Sequence, residues 1–182
     1  MKLSSVINKD LIFTDLKARD KEGVIKEMIN RLFDVMDIGS SSEDAFVHAV
    51  LTREEQASTA FGKEVAFPHA RVDTFNDFAI VIGRTKNAID CDAVDGQKVR
   101  LFFLILTAKT KNTLLLQGLA SLSELIQKEE TRMRLLEAPN AQKIYDVIAR
   151  VDIEFKKSII AEDLMITNIV SITPEMTVKQ AS

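Results

Sequence analysis

Apolar residues in the first third of the chain have the spacing of helices. Seven of them recur at steps of one, three and four positions, which places them on one helical face: Val24, Ile25, Met28, Ile29, Leu32, Phe33 and Met36. Gly39 predicts the end of this helix. Ser40 and Glu43 have the spacing of a capping box, which predicts a second helix that ends near Arg53 or Glu54.

Three apolar runs bounded by turn residues predict strands, at 65–67, 78–84 and 99–106. The third run is apolar on both faces, as expected of a central strand that helices cover on both sides. Pro68 fixes its own φ and biases the preceding residue toward extended geometry, so the first strand is predicted to stop there. His69 is therefore expected at the rim of a sheet.

The second half of the chain returns to helical spacing. A long helix is predicted from apolar residues between 115 and 126, a short one over 129–137, and another after Pro139. Strands interleaved with helices predict an α/β sandwich.

The sequence pattern changes after about Asp152. A linking helix is predicted over IEFKKSIIAEDL, followed by a short strand and turn between Ile169 and Pro174. A strand and half a helix cannot bury a core of their own. We therefore divide the chain into a domain over 1–152 and an extension over 153–182, which docks on the domain, pairs with another chain or belongs to a longer protein.

Composition narrows the class of protein. The 182 residues suffice for one domain of about 150 residues plus a smaller piece. A net charge of −3 gives no basic surface for nucleic acid, and the single cysteine, Cys91, excludes an internal disulfide. No Cys/His cluster has zinc spacing. The longest strongly apolar run, 101–106, is too short to span a membrane and no signal peptide is evident, so a soluble, cytoplasmic protein is expected.

His69 is the candidate reactive residue. A neutral imidazole is nucleophilic near pH 7, and its ring nitrogen can carry a phosphoryl group. Such a site also needs cations and hydrogen-bond donors for the phosphoryl oxygens, and the nearby candidates are Arg53, Arg71, Ser58, Thr59 and the backbone around Gly62. The chain has no Walker loop, so a nucleotide need not be the donor, and no cofactor or metal is predicted. A histidine at a strand end is more often a hydrogen-bonded structural residue, so these observations alone leave the function open.

The segment TREEQASTAFGKEVAFPHAR (52–71) resembles the active-site segment of the fructose/mannitol-type (type 2) EIIA domains of the bacterial phosphotransferase system (PTS), including their nitrogen-regulatory branch. The family shows an Arg-Glu pair followed by a glycine-rich run that ends in Pro-His. The matching residues are Arg53, Glu54, Thr59, Gly62, Ala66, Pro68 and His69. The resemblance covers roughly residues 3–151 and implies a mixed sheet of about five strands between helices.

The resemblance also implies roles for individual residues. His69 would be phosphorylated by the phosphohistidine of the carrier HPr or its paralogue, and Arg53 would bind the phosphoryl oxygens. The group would then pass to an EIIB partner or act as a regulatory signal. Whether the chain is an enzyme in its own right is left open, since it would be one component of a phosphotransferase.

Three positions depart from the family pattern. Ala60 and Glu64 replace loop glycines, and Glu64 adds a negative charge near a site that must hold a dianion. Asn112 stands where many members carry a second histidine, and an amide cannot change its charge. These departures favour a regulatory member, and the alternative is a non-catalytic sensor that keeps the fold without being phosphorylated.

The tail carries a second resemblance. EDLMITNIVSITPEMTVKQA is similar to the opening of a CBS domain, a ligand-binding module, although about 20 residues are too few to form one. We expect 153–182 to be a linker helix and the start of such a module. A homo-oligomer formed through this extension is a further expectation.

Overall fold

The computed structural model describes residues 1–39, 41–93 and 95–155. Its centre is a mixed sheet formed by the strands β1 (Ile12–Leu16), β2 (Ala60–Gly62), β3 (Val65–Ala66), β4 (His69–Val72), β5 (Phe78–Ile89) and β6 (Val99–Ala108). Five helices cover the sheet: α1 (Lys21–Val35), α2 (Glu43–Gln56), α3 (Asn112–Gln127), α4 (Glu129–Glu137) and α5 (Ala141–Arg150). The predicted α/β fold is confirmed, with six strands among the described residues rather than about five.

The sheet is arranged around β6. The order of strands is β1-β5-β6-β3-β2, and β4 also pairs with β6. On one side of β6 lies β5, which runs antiparallel to it, and on the other lie β3 and then β4, both parallel. The parallel pairs place Val65 beside Leu101 and His69 beside Ile105, so β3 and β4 follow each other along the same edge of β6.

Pro68 interrupts this edge without ending it. The predicted stop before Pro68 is confirmed, because β3 ends at Ala66, and a separate strand, β4, resumes the pairing with β6 at His69. Proline lacks an N–H donor, yet its carbonyl can still accept, and Pro68 O accepts a hydrogen bond from Ile105 N at 2.9 Å. His69 consequently begins a strand that, among the described residues, pairs with β6 alone.

Side chains of β6 alternate between two apolar cores. Leu101, Phe103 and Ile105 belong to the core with residues of α3, α4 and α5. Phe102, Leu104 and Leu106 belong to the core with residues of α1 and α2. The predicted central strand, covered on both faces, is thus confirmed, and each fully buried side chain of this size contributes about 1.5–3 kcal/mol.

The start of α2 differs from the prediction. Its N-cap is Ser42, whose hydroxyl accepts from Ala45 N at 3.1 Å, and the helix begins at Glu43. The capping box with Ser40 as N-cap is therefore wrong, and residue 40 itself lies outside the described residues. A serine two positions later was equally able to cap, so the spacing alone did not fix the choice.

The two ends of the described chain lie together. Leu3 N donates to Ile153 O at 2.9 Å, and Phe155 N donates to Met1 O at 2.6 Å. Ile153 and Phe155 are buried in the same core as α5. The predicted linker helix from Lys156 onward and the CBS-like segment lie outside the described residues. Within the described residues, every helix is too short or too polar to span a bilayer.

Candidate functional site

His69 is held by a hydrogen bond to its own chain. Its Nδ1 lies 2.8 Å from Phe67 O. Because a carbonyl oxygen can only accept, a neutral His69 carries its proton on Nδ1. The lone pair is then on Nε2, which is the nitrogen available for attack.

The His69 side chain lines a cavity of about 430 Å³ at the surface. Arg53 reaches this cavity from the last turn of α2, and Arg71 reaches it from β4, two residues after His69. Residues i and i+2 of a strand point to the same side of a sheet, which explains why His69 and Arg71 share the cavity. The remaining wall includes Thr52, Gln56, Lys109 and Leu115.

The surroundings of His69 favour its neutral form. Burial lowers the pKa of His69 below its ordinary value of 6.5, and the positive charges of Arg53 and Arg71 act in the same direction. The hydrogen bond to Phe67 and the negative charge of Glu54 oppose this effect without reversing it. A neutral imidazole is therefore present at neutral pH.

Arg53 is fixed beside the cavity by the end of its own helix. Its Nη1 donates to Ala57 O at 3.1 Å, just past the last residue of α2. A guanidinium has five N–H donors, so this bond leaves donors free for an anion in the cavity. The predicted proximity of Arg53 and His69 agrees with this geometry.

Arg71 is held by Asn112, the first residue of α3. Arg71 Nη1 donates to Asn112 Oδ1 at 3.2 Å. The amide therefore acts on the second guanidinium of the cavity, and the described contacts do not join it to His69. Sequence reasoning gave both residues as supporting groups but could not pair them, because they lie 41 positions apart.

Three other candidate residues lie outside the cavity wall. Ser58 Oγ donates to Cys91 O at 2.5 Å, and the Thr59 hydroxyl donates to the carboxylate of Glu54. Gly62 lies at the end of β2 with φ of +89°, next to the side chain of Asp95. These residues shape the loop between α2 and β3. Burial raises the pKa of the Cys91 thiol to about 12, which leaves it unreactive at neutral pH.

Residues 5–151 match the family described as "Phosphoenolpyruvate-dependent sugar phosphotransferase system, EIIA 2". The chain belongs to this family. The CBS resemblance of the tail receives no support from the comparisons, whose family match ends at residue 151.

Two curated relatives share this EIIA 2 domain. The fructose-specific EIIABC component of Bacillus subtilis is 36% identical over 154 residues, which are 84% of this chain but 24% of that protein. The fructose-specific EIIA component of Haloferax volcanii is 32% identical over 149 residues, which are 82% of this chain and 96% of that protein. The chain thus spans about a quarter of the first relative and nearly all of the second.

A solved structure shares the fold. The nitrogen regulatory protein IIA-Ntr of Neisseria meningitidis superposes with a TM-score of 0.73 at 23% identity, covering 80% of this chain and 98% of that one. At this identity the likeness concerns the fold alone.

Two of the departures from the EIIA 2 pattern have little effect on the site. Ala60 is buried in β2, and its φ is not positive, so a glycine is not required there. Glu64 has φ of +64° and forms a bidentate pair with Arg100, at 2.8 and 3.2 Å. Arg100 lies five positions along β6 from Ile105, the partner of His69, or about 16 Å away. The charge of Glu64 is thus neutralised and remote from His69.

Glu54 supports the site, although the sequence indicated it only as half of the Arg-Glu pair that matches the family. It is 6% exposed, and its carboxylate accepts from the backbone N–H of Thr59 at 3.3 Å as well as from the Thr59 hydroxyl. Lys21 Nζ lies 3.7 Å from the same carboxylate. Glu54 therefore ties the loop after α2 to the helix that carries Arg53.

Proposed function

We propose that Nε2 of His69 accepts a phosphoryl group from the phosphohistidine of an HPr-like carrier protein. The observation that carries this proposal is the bond from Nδ1 to Phe67 O, which leaves Nε2 unprotonated in a cavity shared with two arginines. The donor arrives as a protein, which agrees with the lack of a nucleotide motif in the sequence.

The transfer balances without a further reactant. The bond from phosphorus to the protonated donor imidazole breaks as the bond from phosphorus to Nε2 forms, and the donor ring gives up its positive charge and leaves as a neutral imidazole. The positive charge that the His69 ring gains is stabilised by Nδ1–H donating to the carbonyl of Phe67. Arg53 and Arg71 stabilise the negative charge on the transferred oxygens.

Two fates for the phosphoryl group follow from the family. It passes to an EIIB partner, or the phosphorylation state acts as a regulatory signal. The name of the B. subtilis relative joins EIIA with B and C components, whereas the Neisseria structure is named a nitrogen regulatory protein. We favour the regulatory use for this chain, because Asn112 replaces a second histidine that many members carry.

Phosphorylation in vitro tests the proposal. Incubation with Enzyme I, HPr and labelled phosphoenolpyruvate is expected to give an acid-labile phosphoprotein, and His69→Gln is expected to abolish the label. His48→Gln is the matched control, since His48 is exposed on α2, and it should be labelled like the wild type. Absence of label from both the standard and the nitrogen-branch carriers would exclude the proposal.

The alternative is a non-catalytic module that binds its partner regardless of phosphorylation. Asn112 is the observation that favours it, because its amide is engaged with Arg71 and cannot titrate. In that case His69→Ala leaves partner affinity unchanged. A change of more than tenfold with His69→Ala or His69→Asp would instead support phosphorylation control.

We also propose that 153–182 joins the EIIA 2 domain over 1–152 to a CBS module. The support is the sequence resemblance alone. Sedimentation of the full chain and of a chain ending at residue 155 tests the related expectation of a homo-oligomer. The same number of subunits for the two chains would exclude assembly through the extension.

A further inference from the structure

A second cluster of cations lies at the opposite end of the sheet from His69. Ile80 pairs with Ile105, which pairs with His69, whereas Thr85 lies five positions further along β5, or about 16 Å away. There β1 and β5 run parallel, with Leu16 beside Thr85 near the end of β1.

Two adjoining cavities of about 370 Å³ each open at this end. They share Asp15, Lys17, Thr85 and Lys86, and together they form what we call the basic groove. Its cationic residues are Lys17, Arg19, Arg84, Lys86 and Arg100. The volume is that of a site for a small molecule.

Most of this positive charge is uncompensated. Asp15 is the one carboxylate on the walls, and its Oδ1 accepts from Arg31 at 2.8 Å. Arg100 pairs with Glu64. Among the described residues, Lys17, Arg19, Lys86 and Arg84 form no ion pair. Four free cations on a chain of net charge −3 are a marked local excess.

Arg84 is a cation of the groove whose guanidinium is hydrogen-bonded to the backbone. It is half-buried, and its Nη1 donates to the carbonyls of Leu135 and Leu136 at 3.1 and 2.9 Å. Burial and the neighbouring charge of Arg100 both lower the pKa of Arg84. A partly desolvated guanidinium beside a second one is stabilised when an anion binds between them.

Thr85 adds an unused hydrogen-bonding group. It is 3% exposed, and its hydroxyl has no partner among the described residues. An unpaired buried hydroxyl costs free energy, which a hydrogen bond to an occupant of the groove would recover.

The backbone of the neighbouring loop already binds a carboxylate. Lys17 N and Ala18 N both donate to Glu27 Oε2, at 2.8 and 3.0 Å. Glu27 is also paired with Arg31, at 2.7 Å. Arg31 thus pairs with both Asp15 and Glu27, and its single positive charge offsets part of their two negative charges.

We propose that the basic groove is a second binding site, which takes a small oxyanion of two or more negative charges, either a phosphorylated compound or a polycarboxylate. Arginine and lysine side chains of the groove walls would hold the oxyanion, among them Lys17, Arg84, Lys86 and Arg100. This site does not depend on phosphorylation of His69.

Titration of the ¹⁵N-labelled chain tests the proposal, with pyrophosphate and citrate as probes and sodium chloride at matched ionic strength as the blank. Either probe is expected to shift the amides of Lys17, Thr85 and Lys86 saturably, with a dissociation constant of about 1 mM or tighter. Saturation by pyrophosphate alone assigns a phosphorylated ligand, and saturation by citrate alone assigns a carboxylate.

Charge variants provide the specific control. Lys17→Gln with Lys86→Gln is expected to weaken binding at least about tenfold, whereas Lys128→Gln with Lys143→Gln makes the same change of charge elsewhere on the exposed surface and should leave it unchanged. Shifts confined to the His69 cavity, equal affinity in both double variants, or binding of an acidic peptide but of neither small anion would overturn the proposal.

Discussion

The two ends of the sheet both gather cations, but they hold them differently. At the His69 end, Arg53 is bound to Ala57 O, Arg71 to Asn112, and Lys109 to Asp73. At the opposite end, Lys17, Arg19 and Lys86 have no side-chain partner among the described residues. The bonds at the His69 end fix charges for a reaction that needs alignment, whereas, of the cations described at the opposite end, only Arg84 and Arg100 are bound in this way.

The two ends differ in which helix, strand or loop carries each cation. Arg53 and Arg71 come from a helix end and a strand that are anchored to the central part of the sheet, so their positions are defined by the fold. Lys17 and Arg19 come from the segment between β1 and α1, at the edge of the sheet. Substitutions at one end should therefore leave the other end unaffected, because no described contact joins the two clusters.

The largest effect is expected from Arg53→Gln. Loss of a charged donor to the transferred oxygens should slow phosphorylation of His69 by about 100–1,000-fold. The initial rate of transfer from phosphorylated HPr measures this. Arg19→Gln is the matched control at the opposite end, and it should leave the rate unchanged while weakening anion binding. Equal slowing by both substitutions would refute the separation of the two ends.

Acidification should slow the phosphorylation of His69. Because the pKa of His69 lies below 6.5, more than half of the imidazole is neutral at pH 6.5 and above, and well below the pKa the neutral fraction falls about tenfold per pH unit. The single-turnover rate should follow the same curve. An NMR titration, with His48→Gln to assign the imidazole signals, gives the pKa directly. Protonation of His69 well above pH 7 would contradict the predicted effect of its surroundings.

Glu54→Ala should damage the His69 end through the loop after α2. The substitution leaves Thr59 N–H without its acceptor, which costs about 1–3 kcal/mol in the free energy of unfolding. Loosening the loop that holds Arg53 should also slow phosphorylation about tenfold or more. Glu55→Ala, an exposed neighbour, is the control. Chemical denaturation and the transfer rate measure both effects, and an unchanged rate would show that the loop does not position Arg53.

Glu64→Gly is expected to have the smallest effect. That effect should be confined to the end of the sheet opposite His69. Glycine relieves a positive φ, which stabilises the fold by about 1 kcal/mol, while loss of the pair with Arg100 costs a similar amount or less. The free energy of unfolding should therefore change by less than about 1 kcal/mol. Freed Arg100 should bind pyrophosphate slightly more tightly, with the rate of His69 phosphorylation unchanged. A slower rate would show that Glu64 acts on the His69 site after all.

Much of the fold was predictable because its signals are local. The helices from Lys21, from 129 and after Pro139 follow from apolar spacing, and β6 follows from an apolar run on both faces. The strand β1 was not predicted from the sequence, because its five residues, among them the exposed Asp15, alternate only weakly between apolar and polar. Its strand geometry depends on pairing with β5, a partner about 70 positions away in the sequence.

The candidate site was predictable in part. His69 and Arg53 were identified through a motif of short range, and both line the cavity. Lys109 and the pairing of Arg71 with Asn112 were not, because they join segments far apart in sequence. Ser58 and Thr59 belong to the same sequence motif as His69, but the fold directs their hydroxyls to Cys91 and Glu54 instead.

The sequence by itself determined the helices, the two apolar faces of β6 and the identity of the candidate acceptor, because periodicity and short motifs act over a few residues. Only the tertiary structure decided that pairing with β6 continues past Pro68, that Nδ1 of His69 is bound and Nε2 is free, and that cations gather at both ends of the sheet. These features arise where distant segments meet, and their hydrogen bonds and charges depend on distances that chain order does not specify.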